Sequence, residues 1–236
     1  MKTTIHRADT RGYADHGWLK AKHSFSFASY YNPGKIRFGL LRVLNDDIVE
    51  AGAGFGTHPH DNMEIVTIPL RGEVAHKDST GNHGVIRPGD VQIMSAGSGL
   101  THSEYNNSDK NDVNLLQIWV FPKEKDINPR YDQKTFNPSD RVNKIVTLVS
   151  PEKNGETLWI NQNAYFSLSD LMKDNSVKYK VNSKGNGVYI FIIEGEVNVS
   201  GEKLSKRDAI GVEDAESIDI LALNNSKVLF IEVPMR

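Results

Sequence analysis

Two short stretches of this chain carry residue types that could hold a metal ion. Residues 52–62 read GAGFGTHPHDN, which sets His58 and His60 two apart, and residues 97–107 read GSGLTHSEYNN, which sets His102 and Glu104 two apart. Along an extended strand, residues i and i+2 point to the same side. Two such strands laid side by side would bring three imidazoles and one carboxylate to one point. That mixed nitrogen and oxygen set suits iron, manganese, nickel, cobalt or copper. Four protein ligands on an octahedral ion leave two positions for water, oxygen or substrate. An isolated H-x-H pair is more often a surface feature, but a second pair about 40 residues on, also behind glycines, outweighs that reading. With no cysteine in the chain, histidine and carboxylate are the donors left for a metal.

Other residues near these stretches invite weaker expectations. Glu64 has the same strand parity as the two histidines and could be an alternative or supporting carboxylate. His76 opens HKDSTGNHG, a polar turn sequence, and a hydrogen-bonding or solvated role is expected there, as for His83. His6, His16 and His23 lie in the N-terminal segment and look unremarkable. Glycines at 52, 54, 56, 97 and 99 would let backbone approach closely in a narrow interior.

The elements that must position these residues read as strands. Apolar runs such as IRFGLLRVL, MEIVTIPL, NLLQIWVF and VYIFIIEGEVNVS are short, rich in Val, Ile and Phe, and separated by turn residues. That spacing predicts an all-β sandwich or barrel. The one helix signal is a turn through LMKD, capped by Ser169 or Asp170. Two segments resemble each other: Gly72-Glu73-Val74 and Asp90 of the first correspond to Gly195-Glu196-Val197 and Asp208 of the second. The pattern predicts two β domains of one type, 1–130 and 131–236, joined near the polar, proline-containing stretch at 124–140. From residue 141 onward there is no histidine, so the first domain alone is expected to hold metal. In the second, Glu194, Glu196 and Glu202 are expected to be solvated.

Composition narrows the function classes. Of 236 residues, 38% are hydrophobic and 25% charged, the profile of a globular protein. A net charge of −2 gives no reason to expect direct nucleic-acid binding. The N-terminus lacks a signal-peptide core, and the run VYIFII falls far short of the ~20 residues a membrane span needs. A cytoplasmic protein without a membrane partner is the expectation.

The motifs carry a family resemblance. GAGFGTHPHDNME fits the first cupin motif, except that Gly72 comes one residue late, and GDVQIMSAGSGLTHSEYN resembles the second, with Ser95 where proline is usual. Together with RADTRGYADHGWLKAKHSFSFASYYNP near the N-terminus, these stretches resemble the pirin family of bicupins, particularly its bacterial, quercetinase-like members. The resemblance implies two antiparallel β-barrels of the cupin jelly-roll type. It implies one divalent transition metal per chain, iron first, with manganese, nickel, cobalt, copper and zinc as alternatives. His58, His60, His102 and Glu104 match the family's ligands, while Glu64 matches a residue that is normally not one. The implied activity is that of a metal-dependent dioxygenase of the quercetin 2,3-dioxygenase type, which opens a flavonol ring with O2. Glu104 would be its catalytic base. The alternative is an iron-binding regulator whose redox state alters its surface for a protein partner. A monomer is expected in either case.

Overall fold

Short β-branched and aromatic runs have nowhere to bury their apolar faces except in sheets, and the chain forms 22 strands with no α-helix. The computed structural model describes residues 1–236. The strands of its first part are β1 Lys2–His6, β2 Gly12–Asp15, β3 Leu19–His23, β4 Leu41–Val49, β5 Gly54–His60 and β6 Glu64–Arg71. They continue as β7 Val74–Asp78, β8 His83–Ile86, β9 Asp90–Ser95, β10 Leu100–Asn106, β11 Val113–Val120 and β12 Arg130–Thr135. Next come β13 Val146–Ser150, β14 Leu158–Trp159, β15 Tyr165–Leu171, β16 Ser176–Lys180 and β17 Asn186–Glu194. The last are β18 Glu196–Val199, β19 Glu202–Ser205, β20 Ala209–Glu213, β21 Ser217–Ala222 and β22 Ser226–Pro234. Helix is confined to 3₁₀ turns at Ala8–Thr10 and Pro138–Arg141. No helix is long and apolar enough to cross a membrane. The expected turn through LMKD is instead led by β15, in which Ser169 and Asp170 pair with Val228 and Lys227 of β22. Cross-strand pairing there outweighs the local capping tendency.

Each half is a jelly-roll sandwich of one seven-stranded and one four-stranded sheet. The small sheets run β5-β10-β7-β8 and β16-β21-β18-β19, and the large ones β12-β9-β6-β11-β4-β3-β2 and β1-β20-β17-β22-β15-β13-β14. The two sheets of a half are separate, not one continuously hydrogen-bonded barrel. Pairing is antiparallel between all named strands except β13 and β14, which run parallel.

Strand pairing crosses the expected 130/131 boundary at both ends. β1 lies against β20, Lys2 to His6 opposite Glu213 to Ala209, and so joins the second half's sheet. β12 lies against β9 in the first half's sheet. The physical reason is the same in both places. An uncovered sheet edge presents unpaired N–H and C=O groups, and here each is covered by chain lying outside its own expected boundary.

The large sheets pack face to face. Val66, Ile68, Leu116 and Ile118 of the first meet Leu168, Phe191, Leu229 and Ile231 of the second within a cluster of 25 buried apolar residues. The second half's interior is filled by another 15, among them Ile190, Ile192, Val197, Ile220 and Phe230. The first half has only two small apolar clusters, of 7 and 3 residues. It buries polar side chains instead, including Asn45, Asp47, Thr67, His102, Glu104 and Gln117.

Candidate metal centre

The four-stranded sheet of the first half aligns the expected ligands. β5 and β10 pair antiparallel with His58 opposite His102 and His60 opposite Leu100. The strands come so close that a Cβ on Gly54 would strike the backbone of Glu104 and Tyr105. His58, His60 and His102 converge, their ring centroids 4.5–4.8 Å apart, and they offer ligand atoms all within 4.8 Å of one another. Nδ1 of His58 donates to the Gly56 carbonyl at 2.8 Å. That bond fixes the tautomer and leaves Nε2 with its lone pair, 3.0 Å from Nε2 of His102. The two imidazoles can share one hydrogen bond there, whereas an ion would engage a lone pair from each. Around an octahedral ion with bonds of about 2.1 Å, neighbouring ligand atoms also lie about 3 Å apart. The three-imidazole donor set therefore fits a transition ion.

Burial prepares the rings for this role. His60 is pushed down to about 4 by burial and then by His58. His102 falls to about 3 by burial, followed by His58, His60 and His76. Both are neutral near pH 7, the state a metal requires.

Glu104 stands to one side of this triad. A register shift between β5 and β10 falls between His102 and Glu104, and across the β10–β7 pairing Glu104 stands opposite His76. It groups with His102 and His76, again with ligand atoms within 4.8 Å, and not with His58 and His60. Gln117 Nε2 donates to Oε2 at 2.8 Å and the Thr67 hydroxyl lies 3.3 Å from Oε1. Burial raises the Glu104 carboxyl to about 7, against the pull of those two bonds.

Several expectations change. His76 is not in a solvated turn: it lies within β7, 2% exposed, stacked on Tyr131 with centroids 4.7 Å apart. Its polar neighbours in sequence supply the turn after β7, while alternation turns the ring inward. His83 is exposed. Glu64 faces the opposite half, accepting from Ser95 Oγ at 2.8 Å and from the Asn161 backbone at 3.1 Å. The bend at 61–63 between β5 and β6 resets strand parity, which is why counting from His60 misplaces it. His6 and His23 are buried, bonded to the Tyr189 hydroxyl and to Asn45 at 2.9 Å each, while His16 is exposed.

Two buried carboxyls escape sequence reasoning. Asp47, on β4, is raised to about 8 by burial and then by Asp46 and Glu104, so it is protonated near pH 7. Glu232 is fully buried in the second half, ringed by the Tyr179 hydroxyl, the Asn182 and Ser183 backbone N–H groups and the Asn186 amide. Only an odd acidic residue within an apolar strand run marks either one.

A family model described as Pirin matches residues 5–120, and one described as Quercetinase C-terminal cupin domain matches residues 147–233. The chain is 42% identical over 230 residues to an Escherichia coli protein named quercetin 2,3-dioxygenase, covering 98% of each. It is 40% identical to a pirin-like protein of Caulobacter vibrioides, covering 95% of this chain and 96% of the other. Among solved structures, a bacterial pirin of Escherichia coli in complex with nickel(II) superposes with a TM-score of 0.93 at 40% identity, over 99% of both chains.

Proposed function

We propose, from the premise that this chain belongs to the pirin family, that it is a metal-dependent dioxygenase acting on a flavonol-like substrate. The observation that carries this reading is the convergence of three imidazoles beside the buried Glu104 carboxyl. His58, His60 and His102 would hold the ion, with Glu104 as the fourth ligand. Iron is the ion we assign; nickel is compatible with the same donors, and the similar E. coli pirin was solved in complex with nickel(II). When bound, the ion polarises the substrate's oxygens and lowers the pKa of its hydroxyl.

The remaining roles belong to the chain. Glu104 accepts the flavonol hydroxyl proton on a carboxylate oxygen, the role of a positioned base. Gln117 and Thr67 hold the carboxyl in place. Trp119 packs edge-on against His60 at 5.0 Å, and Phe27 packs edge-on against Trp119 at 5.4 Å. These rings provide an aromatic wall beside the ligands for a flat substrate.

The test is anaerobic addition of quercetin to iron-loaded protein, followed by air. Oxygen uptake with release of carbon monoxide, in proportion to bound metal, is expected. Absence of uptake with iron, manganese, nickel, cobalt and copper alike would favour the regulator that binds a protein partner.

A further inference from the structure

We infer that His76, His102 and Glu104 form a second, deeper cation position that shares His102 with the three-histidine set. β10 is flanked by β5 on one side and β7 on the other. His58 stands opposite His102 across the first pairing, and His76 stands opposite Glu104 across the second. Directly opposed residues on one face have Cβ atoms about 5 Å apart. The two flanks of one strand thus carry two overlapping triads.

The inner triad is enclosed, its members 2%, 2% and 5% exposed. Nδ1 of His76 and Nδ1 of His102 are buried without a hydrogen-bond partner. Such an atom is costly to bury if nothing meets it, and buried unpartnered groups of this kind call for an ion or a water. The surroundings hold the ring ready. Tyr131 stacks on His76, and Asp78 Oδ2 lies 3.5 Å from its Nε2, the carboxylate–histidine pairing that commonly orients metal ligands. Two imidazoles and a carboxylate suit a divalent first-row ion, the donor set that non-haem iron(II) sites use, and nickel(II) serves as a redox-silent probe of it. Since His102 belongs to both triads, and Glu104 would also close the outer set as its fourth ligand, one ion per chain at a time is expected. The inference does not depend on the dioxygenase reading.

Nickel(II) titration by calorimetry, with elemental analysis, tests it on metal-stripped full-length protein. The double variant His58→Ala/His60→Ala lacks the outer set and should still bind one nickel per chain. Adding His76→Ala should weaken that binding by more than about 100-fold, since loss of even an outer-shell partner costs up to about that much. His76→Gln, closer in shape, should do the same and guards against unfolding, which circular dichroism and melting would reveal. A folded double variant that binds no nickel overturns the inference. So does nickel affinity that is equal with and without His76, or a site filled by water alone.

Discussion

Under the proposed function, Glu104 and His58 should fail in different ways. His58→Ala removes a donor from the converging triad, so metal content and oxygen uptake should fall together. Glu104→Gln keeps the shape and the Gln117 contact but cannot take a proton. Its turnover per bound metal should drop by ~10²–10⁴-fold, the usual contribution of a positioned base. Glu64→Gln is the control, because Glu64 faces Ser95 and Asn161 away from the triad. Full activity per metal in Glu104→Gln would remove the base role. Asp47 allows a separate test in metal-free protein. Its carboxyl keeps a proton in the folded chain up to about pH 8, against an ordinary value of 3.8. The folded state therefore holds more protons than the unfolded one between those values, and this residue's contribution falls as pH rises through that window. Asp47→Asn has no such dependence. Its melting temperature relative to wild type should climb between about pH 5 and about pH 8, and a constant difference would refute the assignment.

At the scale of elements, the site depends on how closely β5 approaches β10. Gly54 lies where a methyl group would meet the backbone of Glu104 and Tyr105. Gly54→Ala should force the strands apart, destabilising by about 1–3 kcal/mol as overpacking does. Because the same pairing sets His58 opposite His102, nickel affinity should fall along with the urea midpoint. Unchanged affinity in a destabilised variant would mean that the triad tolerates strand separation. The register shift on this pair acts in the same place. It adds a residue on β5 between the partners of His102 and Glu104, and such irregularities re-aim side chains. Here it falls just before Glu104, which stands opposite His76 on the other flank of β10.

Across the whole molecule, the halves are joined by their apolar sheet faces and by one charged knot. Asp46 takes Arg207 of the second half at 2.9 Å, Arg11 at 3.5 Å and the Asn114 amide at 2.8 Å. Arg11 also lies over the Phe191 ring at 5.1 Å. Asp46→Ala would leave two largely buried guanidinium groups without their carboxylate, at a cost of about 3–5 kcal/mol. The exposed pair Lys178–Asp219 is a fair comparison, with side chains 60% and 70% accessible. Asp219→Ala should change stability by less than about 1 kcal/mol. Equal losses in urea unfolding would show that Asp46 is not a joint between the halves.

Much of this was open to reading in the sequence, wherever the controlling interactions are local. Strand alternation is local, so the H-x-H pair and His102 could be aimed at one point from spacing alone. Turn chemistry is local too. Gly72 and Gly195 both adopt positive φ, 75° and 89°, and Asp90 and Asp208 each accept a backbone N–H from three residues earlier. Those shared devices are why a weak repeat in sequence marks two similar halves. What only the tertiary structure decided depends on partners distant in the chain. β1 covers an edge about 200 residues away, which no local signal encodes. Glu64 faces the other half because a bend resets its parity and Asn161 comes to meet it. His76 stands in a polar stretch, yet pairing with β10 carries it into the interior opposite Glu104. Asp47 is protonated only because folding buries it near two other carboxylates. Residue spacing can aim a side chain along its own strand; the neighbouring strand and the water left behind decide what that side chain meets.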